Sequence, residues 1–194
     1  VTSEETEPGE GWPYHSLLSV LVDKPDIEPE MFGTNIVKSY IDYYESTQQS
    51  DVTQSVLDLS KVRDINNPID ALAGVLLDHM PAAAMEIWRA QMKSMNFFYR
   101  SLWDINHFAL ELSQITTDQQ VKKAASEVQK SQETGAGHLI VDTSHLGSSY
   151  DMCGGVSIYL IPPPQDVSRY YSDLEFVKDN KNWLKMLETY HNSV

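Results

Sequence analysis

The chain has 194 residues, of which 41% are hydrophobic and 22% are charged, so it is long enough to bury a sizeable core in one folded domain. Its net charge of −14 argues against general nucleic-acid binding, which needs a Lys/Arg surface to neutralise phosphates, and fits either basic partners or simple solubility. A single cysteine excludes an internal disulfide, and no apolar run approaches the roughly 20 residues of a membrane span.

The first part of the chain predicts helices around one strand. Residues 15–22 (HSLLSVLV) predict a short apolar helix, and the next helix starts at 28–30 (EPE), because Pro suits a first helical turn and Glu suits its positive end. Apolar residues at helical spacing carry that helix to about Tyr44. Residues 52–59 (VTQSVLDL) are rich in Val and Leu and predict a strand. Further helices are predicted over 69–80 (introduced by NNP at 66–68), 82–94, 103–112 and 117–132, the last with Asp118 near its start.

The last part of the chain differs from the preceding helical region, because it contains two predicted strands. Strands are predicted over 138–142 (HLIVD) and 155–161 (GVSIYLI), and a final helix over 174–190. The aromatic run 97–99 (FFY) predicts core or interface. Strands separated by helices predict α/β layering. The strands are fewer than the roughly 5 to 6 of a usual sheet, which suggests that a further segment completes it.

Four blocks of the chain resemble the C-terminal part of clostripain-like cysteine peptidases. They are residues 3–14 (SEETEPGEGWPY), 52–62 (VTQSVLDLSKV), 154–160 (GGVSIYL) with a proline shortly after, and 171–190, which contains DLEF, a Trp and a closing L-x-x-Y. The first and third blocks are fairly specific in combination. The resemblance implies a caspase-like three-layer α/β/α sandwich around a mainly parallel sheet. Residues 1–194 would be the C-terminal part of this single peptidase domain, supplying its C-terminal strands and most of its helices, with a loosely matching helical insertion at about 66–132.

The resemblance also implies a reaction. The family cleaves peptide bonds after Arg, and sometimes Lys, with a His-Cys pair. In the family pattern a His-Gly and then an Asp-x-Cys precede the first block, so both catalytic residues are expected on an upstream segment and none in this chain. The expected partners are that segment and peptide or protein substrates with Arg or Lys, in a secreted or cell-envelope bacterial location. Some members respond to calcium, which makes calcium a candidate ion, but nothing like an EF-hand loop assigns a ligand here. The alternative is a non-catalytic binding module on the same scaffold.

We call residues 1–14 (VTSEETEPGEGWPY) the acidic segment, since it contains four Glu. An Arg side chain presents a planar fork of donors that a carboxylate in a partly dry pocket binds well, and the resemblance places this segment beside the substrate cleft. Glu10 is the first candidate, because its Gly-x-Gly setting lets the backbone approach a ligand, and Trp12 could stack on the guanidinium. Glu7 and Glu5 are the further substrate-binding candidates. The alternative is that these Glu residues form a solvated charged run at a chain end. The aromatic residues of the segment argue instead that the segment docks on the rest of the protein.

Cys153 is the only thiol of the chain, and His145 precedes it by eight residues, so a hairpin could join them as nucleophile and base. The simpler interpretation is a small buried hydrophobic residue that leads into a strand, and in the resembling family this position is not the nucleophile. His138, Asp142 and His145 are residue types of metal sites and triads, but their spacing is not diagnostic. Residues 142–144 (DTS) instead predict a turn, because all three side chains can bond to local backbone.

Overall fold

The computed structural model describes residues 1–97 and 100–193, in which helices and strands alternate as the predicted α/β class requires. The helices are α1 (Tyr14–Asp23), α2 (Pro29–Ser46), α3 (Val62–Asp78), α4 (Ala82–Lys93), α5 (Ile105–Ile115), α6 (Gln119–Ser131), α7 (Glu175–Asp179) and α8 (Lys181–His191). The strands are β1 (Val52–Leu57), β2 (Asn96–Phe97), β3 (Leu102–Asp104), β4 (Ile140–Leu146) and β5 (Ser157–Tyr159).

The strands of the described residues form two small antiparallel sheets, so the mainly parallel sheet implied by the resemblance is not how these strands pair. β1 pairs with β4, from Val52 opposite Leu146 to Leu57 opposite Ile140. The second sheet has the strand order β2-β3-β5. Sheets of two and three strands are smaller than usual, as the number of predicted strands indicated.

Helix α2 packs against the β1–β4 sheet, and Gly33 marks a very close approach. A Cβ at this position would lie 2.8 Å from Cγ1 of Val56, so the glycine is what allows helix and strand to approach this closely. Farther along α2, Tyr40 and Tyr44 are fully buried and form a small cluster with Val52. This aromatic cluster is where the acidic segment meets the rest of the protein, because Trp12 packs against it.

The main core lies among α3, α4, α5, α6 and α8. Trp103, Phe108 and Trp183 are among its largest fully buried side chains. The indole Nε1 of Trp183 also donates to the backbone carbonyl of Tyr159 at 3.1 Å. The last long helix is therefore anchored to β5 by both packing and a hydrogen bond.

Most helices lie where the sequence predicts them. α1, α2, α4 and α6 start and end within two residues of the predicted positions, and so does β1. Asp118 caps α6, since its carboxylate accepts from the backbone N–H of Gln120 at 2.7 Å and of Val121 at 3.0 Å. Strong local signals such as a capping Asp decide these boundaries without help from the rest of the fold.

The predicted start of α3 was wrong. The helix begins at Val62 and continues through Pro68, which lies inside it. Ile65 is buried and extends the apolar face of the helix by one turn. The carbonyl that the missing Pro N–H would have bonded belongs to Asp64, which is exposed and can bond water instead.

Three other local predictions were also wrong. Trp103 belongs to β3, and α5 begins only after Asp104, whose side chain accepts from the backbone N–H three positions later, as an N-cap does. Residues 142–144 lie inside β4 and form no turn, because β1 offers them a partner strand. The final helix is divided at Asn180 into α7 and α8.

Two further predictions concern the burial of the aromatic run at 97–99 and the absence of a membrane-spanning helix. Phe97 is buried, as expected of core, whereas Phe98 and Tyr99 lie outside the described residues. Within the described part of the chain, no helix has both the length and the apolar character needed to cross a membrane.

Candidate functional site

The acidic segment is docked on strand β1. Thr2 and Ser55 exchange two backbone hydrogen bonds of 2.9 and 2.8 Å. The hydroxyl of Thr53 accepts from the backbone N–H of Glu4 at 2.9 Å and of Glu5 at 3.0 Å. Because the backbone of the segment is bound at several points, and the Thr53 side chain that binds it is buried, the first part of the segment is held in a defined position and is not a free charged tail.

The second half of the segment is held by aromatic residues. The indole Nε1 of Trp12 donates to a carboxylate oxygen of Glu7 at 2.6 Å, and the side-chain amide of Gln54 donates to the same oxygen at 3.5 Å. The hydroxyl of Tyr44 donates to the carbonyl of Gly11 at 2.6 Å. Gly11 has a φ of 70°, in the left-handed region that favours glycine. The Glu7 carboxylate is therefore oriented before any ligand arrives.

Glu10 and Glu5 lie in different surroundings. Glu10 is exposed and makes no hydrogen bond or ion pair within the described residues. Its neighbour Gly11 is bound by the hydroxyl of Tyr44, which places Glu10 beside that phenol; burial first and then the Glu10 carboxylate raise the pKa of Tyr44. Glu5 is turned away, because its carboxylate accepts from the hydroxyl of Tyr150 at 3.2 Å. The structure thus joins Glu7 to Trp12, leaves Glu10 exposed beside Tyr44 and directs Glu5 elsewhere.

Glu4 belongs to a separate buried cluster with Asp104 and Cys153. One ligating atom from each of these side chains lies within 4.8 Å of the others. Asp104, which is fully buried, accepts from the backbone N–H of His107 at 2.6 Å and of Gly154 at 2.7 Å. The sequence offered no signal for this cluster, because its members lie about 100 and 50 positions apart along the chain.

The pKa values in the cluster are shifted mainly by burial. Burial, and after it the charge of Asp104, raise the pKa of Glu4 well above its usual range. Burial also raises the pKa of Asp104, although the two backbone donors oppose that shift. As ionised groups both carboxylates can only accept, and the Glu4 oxygens then have no donor. With a proton on Glu4, its O–H can donate to Asp104.

The surroundings of Cys153 are unsuited to a nucleophile. Burial, then Asp104 and then Glu4 raise the pKa of its thiol, whereas an activated thiolate needs a neighbouring cation or base. His145, the base considered for it, instead approaches the carboxylate of Asp151 at 3.2 Å. Neither its charged neighbours nor His145 therefore activates this thiol in the structure.

Two groups of possible metal ligands were compared with the needs of calcium, and neither group fits that ion. His138 precedes β4 while Asp142 and His145 lie within it, and they are not close enough to share an ion. Among the described residues, Glu4, Asp104 and Cys153 form the only group of three His, Cys, Asp or Glu side chains with that proximity. Calcium takes six to eight oxygen ligands, and two carboxylates with a sulfur do not supply them.

The comparisons with known proteins place this mixed α/β fold. The family model described as the Clostripain family, peptidase family C11, matches residues 1–190. The chain therefore belongs to the clostripain family.

One solved structure shares the fold. It is the X-ray structure of an inactive zymogen C11 protease from Parabacteroides distasonis, with a TM-score of 0.60 and 17% sequence identity. The match covers 92% of this chain and 50% of the other, so the chain spans about half the length of that protein. A search of curated proteins found no match. At this identity the likeness concerns the fold, and it confirms the α/β, caspase-like class implied by the sequence.

Proposed function

We propose that this chain is the substrate-binding part of a clostripain-family cysteine endopeptidase that cleaves after Arg or Lys. An upstream segment would carry the catalytic Cys and His. The thiolate of that Cys attacks the scissile carbonyl, and the His returns a proton to the leaving amine. The observation that carries the proposal is the docked acidic segment, in which the Glu7 carboxylate is held by Trp12 and Glu10 lies exposed beside the same aromatic cluster.

The surroundings of each acid suggest separate roles in binding a guanidinium group. One oxygen of Glu7 already accepts from Trp12 and Gln54, so Glu7 best serves as an oriented charge near the bound guanidinium group. Glu10 has both oxygens available for a bidentate contact, and it remains the first candidate. Glu5 ranks last, because Tyr150 already uses its carboxylate.

An apolar groove supports the proposed upstream partner. The groove has a volume of about 310 Å³ and is lined mainly by apolar side chains of β1, α3, β5 and the start of α7. Leu59 at its rim is 72% exposed, and Leu174 is 50% exposed. Leucines this exposed are costly in water, and the chain spans half of a homologous fold, so the upstream segment of the same domain is the occupant we propose.

The decisive experiment compares a charged and a neutral substrate. In protein expressed from the complete gene, kcat/KM is measured for a peptide with Arg before the cut and for its citrulline isostere, which has the same shape without the charge. A hydrogen bond to a charged group contributes about 1.5 to 3 kcal/mol, so Glu10→Gln should lower kcat/KM for the Arg peptide by roughly 10- to 100-fold. The citrulline peptide should be affected far less.

The matched control is Glu133→Gln, which neutralises an exposed Glu after α6, outside the acidic segment. It should leave both substrates unchanged. Equal loss for both peptides in Glu10→Gln would mean that Glu10 has a structural role. Absence of any cleavage after Arg or Lys would exclude the peptidase and leave the non-catalytic binding module, in which Glu10→Gln should weaken binding of the Arg peptide. The proposed secreted or cell-envelope location is tested by fractionating the source cells.

A further inference from the structure

Glu4, Asp104 and Cys153 form a buried cluster that the proposed peptidase chemistry does not use. Glu4 is 8% exposed and Asp104 is 0% exposed, whereas Cys153 is half-buried. The three side chains come from the acidic segment, the N-cap of α5 and the loop before β5. Only the tertiary structure brings their ligating atoms within 4.8 Å of one another.

The protein balances only part of the charge that these groups carry when ionised. Both carboxylate oxygens of Glu4 are buried and, within the described residues, neither lies at hydrogen-bonding distance from a donor, although the backbone N–H of Gly155 faces the carboxylate and opposes the rise of its pKa that burial causes. Within the described residues, neither carboxylate forms an ion pair with Lys or Arg. His107 lies beside Asp104 and opposes the burial that raises the pKa of that carboxyl, while its Nδ1 accepts from the backbone N–H of Met95 at 3.1 Å. Carboxylates buried in this way require some other compensating group.

A proton compensates only part of the cluster. If it sits on Glu4 and bonds to Asp104, one Glu4 oxygen still lacks a partner and the thiol of Cys153 takes no part. A divalent cation can take one oxygen from each carboxylate together with the sulfur. We propose that Glu4, Asp104 and Cys153 bind one zinc ion.

Zinc suits this donor set better than the common hard cations do. Zinc accepts thiolate and carboxylate ligands and often keeps a fourth position for water when the protein supplies three. Calcium and magnesium prefer oxygen ligands alone. With zinc–sulfur and zinc–oxygen distances of about 2.3 and 2.1 Å, tetrahedral ligands lie about 3.6 Å apart. Atoms already within 4.8 Å reach that spacing by small side-chain rotations, and the partly exposed Cys153 offers a path for entry.

Zinc binding would also hold the acidic segment in place. The thiol proton, and any proton shared by the carboxylates, would pass to solvent as the ion binds. Glu4 precedes Glu5, and Thr53 anchors the backbone N–H of both. The ion would therefore join the start of the acidic segment to α5 and to the loop before β5, independently of whether the segment binds Arg.

The test measures zinc binding by the purified protein after treatment with a chelator. Zinc is titrated in competition with a chromophoric chelator, and the amount of bound metal is measured by inductively coupled plasma mass spectrometry. We expect one zinc per chain at this site, with affinity lowered by more than about tenfold in Glu4→Gln and in Cys153→Ser, because loss of a ligand should exceed the effect of losing an outer-shell partner. Cobalt serves as a spectroscopic substitute, and its thiolate charge-transfer absorption should vanish in Cys153→Ser.

The matched control is Asp151→Asn, which removes an exposed carboxylate two positions from Cys153. Zinc affinity should be unchanged in this variant. Equal weakening there would place the ion at the His145–Asp151 pair and overturn the proposal. Unchanged affinity in Glu4→Gln or Cys153→Ser, or no saturable binding at one equivalent, would also overturn it. If circular dichroism shows that Glu4→Gln is unfolded, the cobalt spectrum of Cys153→Ser decides.

Discussion

Replacing Thr53 with Val removes the hydroxyl that anchors the acidic segment while keeping the shape and β-strand preference of the side chain. Thr53 is 3% exposed, and its Oγ1 accepts from the backbone N–H groups of Glu4 and Glu5. Leaving a buried N–H without an acceptor costs about 1 to 3 kcal/mol, and the partly exposed N–H of Glu5 costs less because water can reach it. We therefore expect the docked segment to lose about 2 kcal/mol of stability relative to its open state.

Amide hydrogen exchange measures this loss directly. Because each 1.4 kcal/mol is a factor of ten, the amides of Glu4 and Glu5 should exchange about 30-fold faster in Thr53→Val. Global unfolding in urea should change less, since the main core does not contain Thr53. Thr53→Ser is the matched control, because it retains the hydroxyl and loses one methyl group. Equal exchange rates at these amides in the Val and Ser variants would refute the role assigned to the hydroxyl.

Other substitutions test the packing around the same segment. Gly155→Ala should lower the free energy of unfolding by about 1 to 3 kcal/mol, because Gly155 has a φ of 95° and a Cβ would come within 2.6 Å of two hydroxyl oxygens of the β1–β4 sheet; an unchanged urea midpoint would contradict this. Tyr44→Phe removes the bond to the Gly11 carbonyl and should destabilise the docked segment by about 1 kcal/mol, with faster exchange in the segment as the measure and no change in exchange as the contrary result. The backbone carbonyl of residue 75 raises the pKa of His79, and so does the Asp118 carboxylate, which lies 3.1 Å from its Nε2. His79 should therefore stabilise the folded protein below its unfolded pKa near 6.5 and lose that contribution as the pH rises through the higher folded pKa. His79→Gln should flatten the stability curve in that window, and a raised titration midpoint of His79 in NMR checks the cause; a midpoint at or below 6.5 would contradict it.

The sequence predicted the docking of the acidic segment for a sound physical reason. A free tail would not carry Trp12 next to a proline and a tyrosine, and the indole does pack on buried aromatic residues. The sequence could not show that Trp12 would orient Glu7, since that depends on a turn that brings residues five positions apart within hydrogen-bonding distance. Whether Glu10 contacts a basic substrate stays a prediction for the peptide assay.

Local sequence signals determined the positions of most helices, because capping residues and apolar spacing act within a few positions. They placed α2 and α6 well, and the four blocks resembling clostripain-like peptidases indicated the family to which the chain belongs. Where a distant segment offers a competing partner, local signals failed. Residues 142–144 have turn chemistry but lie in a strand because β1 pairs with them. Helix α3 begins before Pro68, and burial of Ile65 in the core stabilises that additional turn. The cluster of Glu4, Asp104 and Cys153 was decided by tertiary structure alone, since no local interaction connects positions so far apart along the chain.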